Sequence, residues 1–296
     1  MLATSALLIV IWGTTWAAVR VCLDGFPPFT GVSLRFALAC VLLWMVAAWS
    51  GVSLRPENRR HVAVWVTQAL FAFTVSYGTV YWAEQWVPSG LVSVLFSTMP
   101  LFVVLLAWSM LPEERLRPVG LAGVVLGFVG VAVIFSDEVT TFGGPQGWIA
   151  AVVVLFAPLS AAVVQVVVKK WGQDMNAFSL TVGPLGLASV IMAILALIFE
   201  RGRSIHLDPW PVASLIYLAI FGSAVAFTLY YWLLKHISAT HLSLITYCTP
   251  IVAMALGTVL LDEPLTAYIL GGSALVLCGV GLVVLPRRRR KEVRKD

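Results

Sequence analysis

Charge is what this sequence has least of. Only 11% of its 296 residues are Asp, Glu, Lys or Arg, against about 25% in an ordinary soluble domain. Hydrophobic residues make up 60%. Those two figures exclude a soluble globular domain, and they exclude a disordered chain, which needs few apolar residues and much charge. Cysteine is scarce too: Cys22, Cys40, Cys248 and Cys278 form no CxxC pair. They are read as small core residues, not as a disulfide framework or a zinc site. Among the four histidines, His236 and His241 stand five apart and isolated, and no HExxH occurs. No metal and no cofactor are expected. A GxxxxGK[ST] loop is missing, which excludes P-loop nucleotide hydrolysis by this chain. An intramembrane enzyme needs paired carboxylates or a nucleophile beside a base, and the apolar stretches offer neither clearly.

What the sequence does have is long apolar runs. At about 20 residues per crossing, hydropathy predicts an all-α membrane protein with ten spans. They lie near Leu2–Arg20, Thr30–Trp49, His61–Trp82, Ser89–Leu111, Pro118–Phe135, Trp148–Val168, Ala177–Phe199, Pro211–Leu234, Ala239–Leu261 and Ala267–Leu285. A barrel would show alternating segments half this length. The first run has no charged leader and is interrupted by Trp12, Gly13, Thr14, Thr15 and Trp16, so it is read as a retained span, not a signal peptide.

The net charge is +5. Its distribution points to topology and away from nucleic acid. With a cytoplasmic N-terminus, fifteen of the 19 Lys and Arg fall on the cytoplasmic side, three (Arg20, Arg201, Arg203) on the other, and Arg35 within a span. Seven of the fifteen are in the tail 287–296. Both termini are therefore predicted to be cytoplasmic, in a plasma or inner membrane.

The chain also matches itself at a shift of 150 residues. Tyr81, Trp82, Ser93 and Pro100 align with Tyr231, Trp232, Ser243 and Pro250. At a shift of 149, Glu114, Leu116, Gly123 and Gly130 align with Glu263, Leu265, Gly272 and Gly279. Each unit, 1–136 and 147–286, holds five spans. Five is odd, so the two units are expected to cross in opposite senses. Inverted repeats of this kind build secondary transporters, with a site between the repeats exposed to each side in turn. Duplication that merely enlarged a bundle is the alternative reading.

WGTTW in the first span, Arg35 early in the second, and YWAEQWVPSGLVSVLFSTMPLF resemble the drug/metabolite transporter superfamily. The second half, through ITYCTPIVAMALGTVLLDEPLTAYILGGSALVLCGVGLVVL, resembles the EamA repeat of that superfamily. The resemblance covers nearly the whole chain. It implies ten helices, cytoplasmic termini, and a central cavity lined by spans one, three, four, six, eight and nine. It also implies export or exchange of small organic metabolites, amino-acid-like or drug-like. In the sixth span, Pro158 stands where the first has Trp12 and Gly13, which breaks the expected likeness of those two spans.

Several residues carry more than one reading. Pro100 and Pro250 lie mid-span in corresponding places, as gating kinks or as tolerated ones. Trp12, Thr15 and Trp16, then Tyr77 and Tyr81, Ser97 (with Thr98), Gln165, Tyr231 and Tyr247 are cavity candidates. Their apolar bodies with polar tips suit an amphipathic solute, although helix packing explains any one of them. Arg35 faces a wet cavity or snorkels to the interface. Glu84 is an interfacial carboxylate beside Trp82 and Trp86, or a coupling group that titrates or pairs with Arg35. His241 is an interfacial histidine or a second titrating group. The GxxxG pattern of Gly123 and Gly127, with Gly271, Gly272, Gly279 and Gly281 in the last span, predicts close packing inside the bundle or a homodimer contact. The scarcity of buried charge points to an uncharged or zwitterionic organic solute. A membrane scaffold or lipid-handling protein is the alternative, with an intramembrane enzyme behind it.

Overall fold

The computed structural model describes residues 2–110, 118–137, 142, 144–236 and 239–284. The side chains of residues 2, 234–235, 239–244, 246–247 and 284 fall outside that description. Within it the regular structure is helical: α1 (Leu2–Leu23), α2 (Pro28–Trp49), α3 (Arg59–Thr67), α4 (Tyr77–Ala83), α5 (Ser89–Phe96), α6 (Met99–Met110) and α7 (Pro118–Phe135). Then come α8 (Pro145–Val154), α9 (Phe156–Trp171), α10 (Ser179–Phe199), α11 (Pro209–Ala219), α12 (Ala226–His236), α13 (Ala239–Leu261) and α14 (Ala267–Val284). Eight stretches are long and apolar enough to cross a membrane, and two shorter apolar helices, Cys248–Leu261 and Ala267–Val283, follow them. The chain is a multi-pass membrane protein. The expected loop glutamate Glu114 and the basic tail 287–296 lie outside the described residues.

Proline chemistry explains two interruptions. Proline lacks an amide hydrogen, and its ring collides with the carbonyl four residues earlier. Four residues before Pro100 is Phe96, where α5 ends; four before Pro158 is Val154, where α8 ends. Pro250, by contrast, stays inside an unbroken α13. The two mid-span prolines therefore act unequally. Two other irregularities have no proline. A π-helical segment, Gln68–Ser76, joins α3 to α4, and a second, Ile220–Val225, joins α11 to α12.

Helix ends are closed by carboxylates from distant elements. Glu200, just past α10, accepts from the Phe29 amide (2.7 Å), the Thr30 amide (2.9 Å) and the Thr30 hydroxyl (2.7 Å) at the start of α2. Asp262 takes φ +51° and ends α13, and the next residue, Glu263, accepts from the Ser89 and Gly90 amides at 2.6 and 2.9 Å. In both cases the unsatisfied donors and positive dipole end of a first-half helix are met by a second-half acid.

The glycines of α7 and α14 form one seam within the chain. A Cβ on Gly130 would stand 2.6 Å from the Gly272 carbonyl oxygen, and one on Gly279 would stand 2.5 Å from that of Gly123. The backbones can approach this closely only because no side chain intervenes.

Candidate functional site

A cavity of ≈ 150 Å³ lies inside the bundle. Its wall comes from α1, the stretch from Ala72 to Tyr81, the α5–α6 break, α9, α12 and α13, and Arg35 enters from α2. Trp12, Thr15, Trp16, Tyr77, Tyr81, Gln165 and Tyr231 all line it. On α1 and α4 the lining residues recur four apart, which is how a helix gives one face to a cavity. Ser97 is apart from them: it is buried and its hydroxyl donates to the Val94 carbonyl at 2.6 Å. The side chains of Tyr247 and His241 lie outside the described residues. Pro100 and Pro250 are buried in α6 and α13; neither lines the cavity, but each directly follows a residue that does, Met99 and Thr249.

Much of the wall is aromatic. Phe73, Phe96, Phe227 and Tyr230 join the predicted tyrosines and tryptophans. Trp12 packs on Tyr230 and Phe227 at 5.3 and 5.9 Å, and Trp16 on Phe96 at 5.5 Å. Single-residue patterning does not reveal Phe73, Phe96 or Phe227, since a phenylalanine in an apolar span looks the same facing lipid, core or cavity.

Arg35 settles into the cavity, not at the interface. It is 1% exposed. Its Nε donates to Ser223 Oγ (2.8 Å), one Nη to the Tyr81 hydroxyl (3.2 Å) and the other to the Gly222 carbonyl (3.1 Å). Its guanidinium also lies 5.0 Å from the centre of the Tyr77 ring, within the range of a cation–π contact. The charge is held entirely by neutral groups. An arginine in mid-membrane costs about 2.5–3.5 kcal/mol on insertion scales, and these contacts offset that cost without neutralising the ion. Ser223 and Gly222 sit in the second π segment. Gly222 has to be small, because a Cβ there would stand 2.8 Å from the Thr15 methyl and 3.0 Å from an Arg35 Nη. Neither residue stands out in the sequence. A small polar residue in an apolar run was their only signal, as it was for Gln68, which accepts from the Tyr231 hydroxyl.

Glu84 caps α4 just beyond the span Arg59–Ala83. It is fully buried, and neither carboxyl oxygen has a hydrogen-bond partner among the described residues. The anticipated pairing with Arg35 is therefore not made. Arg20 donates instead to the Glu84 backbone carbonyl. Burial first, and the nearby Glu263 second, hold the Glu84 carboxyl well above its ordinary pKa of 4.5. Trp82 and Trp86 pack edge to face beside it, centroids 4.9 Å apart.

Known proteins resemble the chain along its whole length. The model of the EamA-like transporter family matches residues 2–136 and again 148–285. An uncharacterized transporter of Bacillus subtilis, YoaV, is 26% identical over 95% of this chain and 96% of its own length. The uncharacterized inner membrane transporter YedA of Escherichia coli K12 is 29% identical over 94% and 88%. A chloroplastic WAT1-related protein of Arabidopsis thaliana is 30% identical over 93% of this chain and 67% of its own. A solved crystal structure superposes with a TM-score of 0.69 over 95% of the chain at 20% identity, which speaks to the fold alone.

Proposed function

The chain belongs to the EamA-like transporter family, and from that premise we propose that it is a secondary carrier of small organic solutes working by alternating access. Two five-helix units, 1–136 and 147–286, form the working halves, and the tail 287–296 anchors the cytoplasmic side. The observation that carries this reading is the cavity: both halves build its wall, the first through α1 and α4, the second through α9 and α12.

The packing pattern supports an inverted repeat. α2 lies on α10, and α7 on α14, which pairs second with second and fifth with fifth element of each half. α1 packs on α13 and α11, while α9 packs on α6 and on the Gln68–Ser76 segment. Exchange of the halves turns one set of contacts into the other. The two π segments also fall in corresponding elements, where a local change of helical pitch often marks a functional site. The halves meet at the cavity and can rock about it.

The counts of Lys and Arg favour cytoplasmic termini in a plasma or inner membrane, and the resemblance to the drug/metabolite transporters favours an exporter or exchanger driven by the solute's own gradient or by protons. An aromatic pocket with one cation and no carboxylate among the described residues of its wall suits binding better than acid–base chemistry. The full-length protein reconstituted in proteoliposomes should move labelled aromatic solutes, phenylalanine and 3-phenylpropanoate among them, faster than protein-free vesicles. A scaffold or lipid-handling protein would leave all such fluxes at the level of empty vesicles.

A further inference from the structure

We propose that the cavity is a binding site for an organic monoanion: an apolar or aromatic body with one acidic head, anchored on the Arg35 guanidinium. This deepens the carrier reading and narrows its substrate. It also departs from the uncharged or zwitterionic solute that the scarcity of charge had suggested.

The argument is an inventory of what the wall leaves unmet. Among the described residues, Arg35 is the one formally charged residue lining the cavity. Its three hydrogen-bond acceptors are a hydroxyl, a phenol and a backbone carbonyl. None carries negative charge. A guanidinium has five N–H donors in a fixed fork, so one remains beyond these three bonds and a further one to the neutral Tyr77 hydroxyl. The fork geometry matches a carboxylate. A second donor is also unmet. Trp12 lines the cavity, and its indole Nε1 is buried without a partner among the described residues. Indole nitrogen only donates. Other buried polar atoms of the bundle are unmet as well, but Trp12 Nε1 belongs to a residue of the cavity wall, where an acceptor on a guest can serve it. Among its described residues the cavity wall thus carries one cation, an unmet donor and no negative charge, its acceptors being neutral hydroxyls and the Gln165 amide.

A cationic or zwitterionic guest meets the opposite of what it needs. An ammonium would find no carboxylate among the described residues of the wall, and the Tyr77 ring face is taken by Arg35 at 5.0 Å. The remaining wall, with Phe73, Phe96 and Phe227, takes the apolar body. Glu84 senses the Arg35 charge through space but makes no hydrogen bond to it, so Arg35 is left available to a guest.

Four probes of one shape test this: 3-phenylpropanoate (anion), 3-phenylpropanamide (neutral), 3-phenylpropylamine (cation) and L-phenylalanine (zwitterion). Binding to the detergent-solubilised full-length protein is followed by quenching of tryptophan fluorescence and by calorimetry. One charge-assisted contact predicts roughly tenfold tighter binding of the anion than of the amide, with the amine weakest. In Arg35→Gln the anion-to-amide ratio should fall to about one while amide binding persists. Because Arg35 is buried and Arg35→Gln could misfold, Trp12→Phe is the second variant. It removes the unmet donor, keeps the ring, and should weaken the anion more than the amine. The wild-type series needs no variant at all. Equal or tighter binding of the amide, amine or phenylalanine overturns the proposal, as does no binding of the anion at millimolar concentration. Flux separates this from the carrier reading. If the anion binds preferentially but no probe crosses proteoliposomes, the site stands and the carrier falls. If the probes cross without preference for the anion, the carrier stands and this site falls.

Discussion

At the scale of the residue, the informative positions are the few charges left inside an apolar chain. Arg35 was conspicuous as an intramembrane cation, and hydropathy alone could not decide between cavity and interface. The deciding neighbours, Ser223, Gly222 and Tyr81, are 188, 187 and 46 residues away in sequence. The sequence leaves Glu84 either an interfacial carboxylate or a group that titrates or pairs with Arg35; it is buried, and its carboxyl oxygens have no hydrogen-bond partner among the described residues. That burial has a pH signature. Its raised pKa means the folded protein binds a proton there at pH values where the unfolded chain has released it. Stability therefore falls as pH rises from about 4.5 through the raised value. Thermal unfolding of the solubilised protein followed across pH should show this decline. Glu84→Gln, which is neutral throughout, should flatten it and raise stability at neutral pH. A steeper decline in Glu84→Gln would assign the slope to another group.

Elements show where patterns are legible and where they fail. Helices, their approximate ends and the glycine seam were all readable, because apolar length and small-residue spacing are local properties. The π segments were not, since neither contains a proline and only the Gly222–Ser223 pair in Ile220–Val225 gives a local hint of a kink. Pro100 and Pro250 align in sequence, yet only the first coincides with a helix break. The glycine seam gives a prediction with an internal control. Gly271 and Gly272 are adjacent on α14. A Cβ on Gly271 meets nothing within 4 Å, whereas one on Gly272 would come within 2.6 Å of the Gly130 carbonyl oxygen. Gly271→Ala should be neutral or stabilising by up to about 1 kcal/mol through helix propensity. Gly272→Ala should cost about 1–3 kcal/mol through overpacking. Melting temperatures of the two variants in the same detergent give the comparison, and similar values would mean that α7 and α14 can move apart freely.

For the whole molecule, the two repeats are legible in the sequence and recur in the two family matches, the charge asymmetry argues for an orientation that labelling has to test, and the cavity chemistry is not legible at all. Arg35 acquires its surroundings only once α2, α4 and the Ile220–Val225 segment meet. Orientation is tested first. In a background with the four native cysteines replaced, Glu57→Cys should react with an impermeant maleimide only from the cytoplasmic side, and Arg201→Cys only from outside. The reverse pattern would invert the topology. Rocking is tested by ties between the halves. At one end the Arg203 guanidinium donates to Gln85 Oε1 at 3.1 Å, Glu200 holds α2 and Glu263 holds α5. At the other, His61 Nε2 and Asp174 Oδ2 are 3.0 Å apart. A carrier that alternates must break the ties at one end while those at the other hold. Gln85 is partly exposed and Arg203 exposed, so cysteines at both positions can be joined by a reducible bis-maleimide. With that linker in place the halves cannot separate at this end, and flux through proteoliposomes should cease. Reduction should restore it. Flux that continues while the linker is intact would mean that solute crosses without the two halves parting here, and alternating access about this cavity would fall.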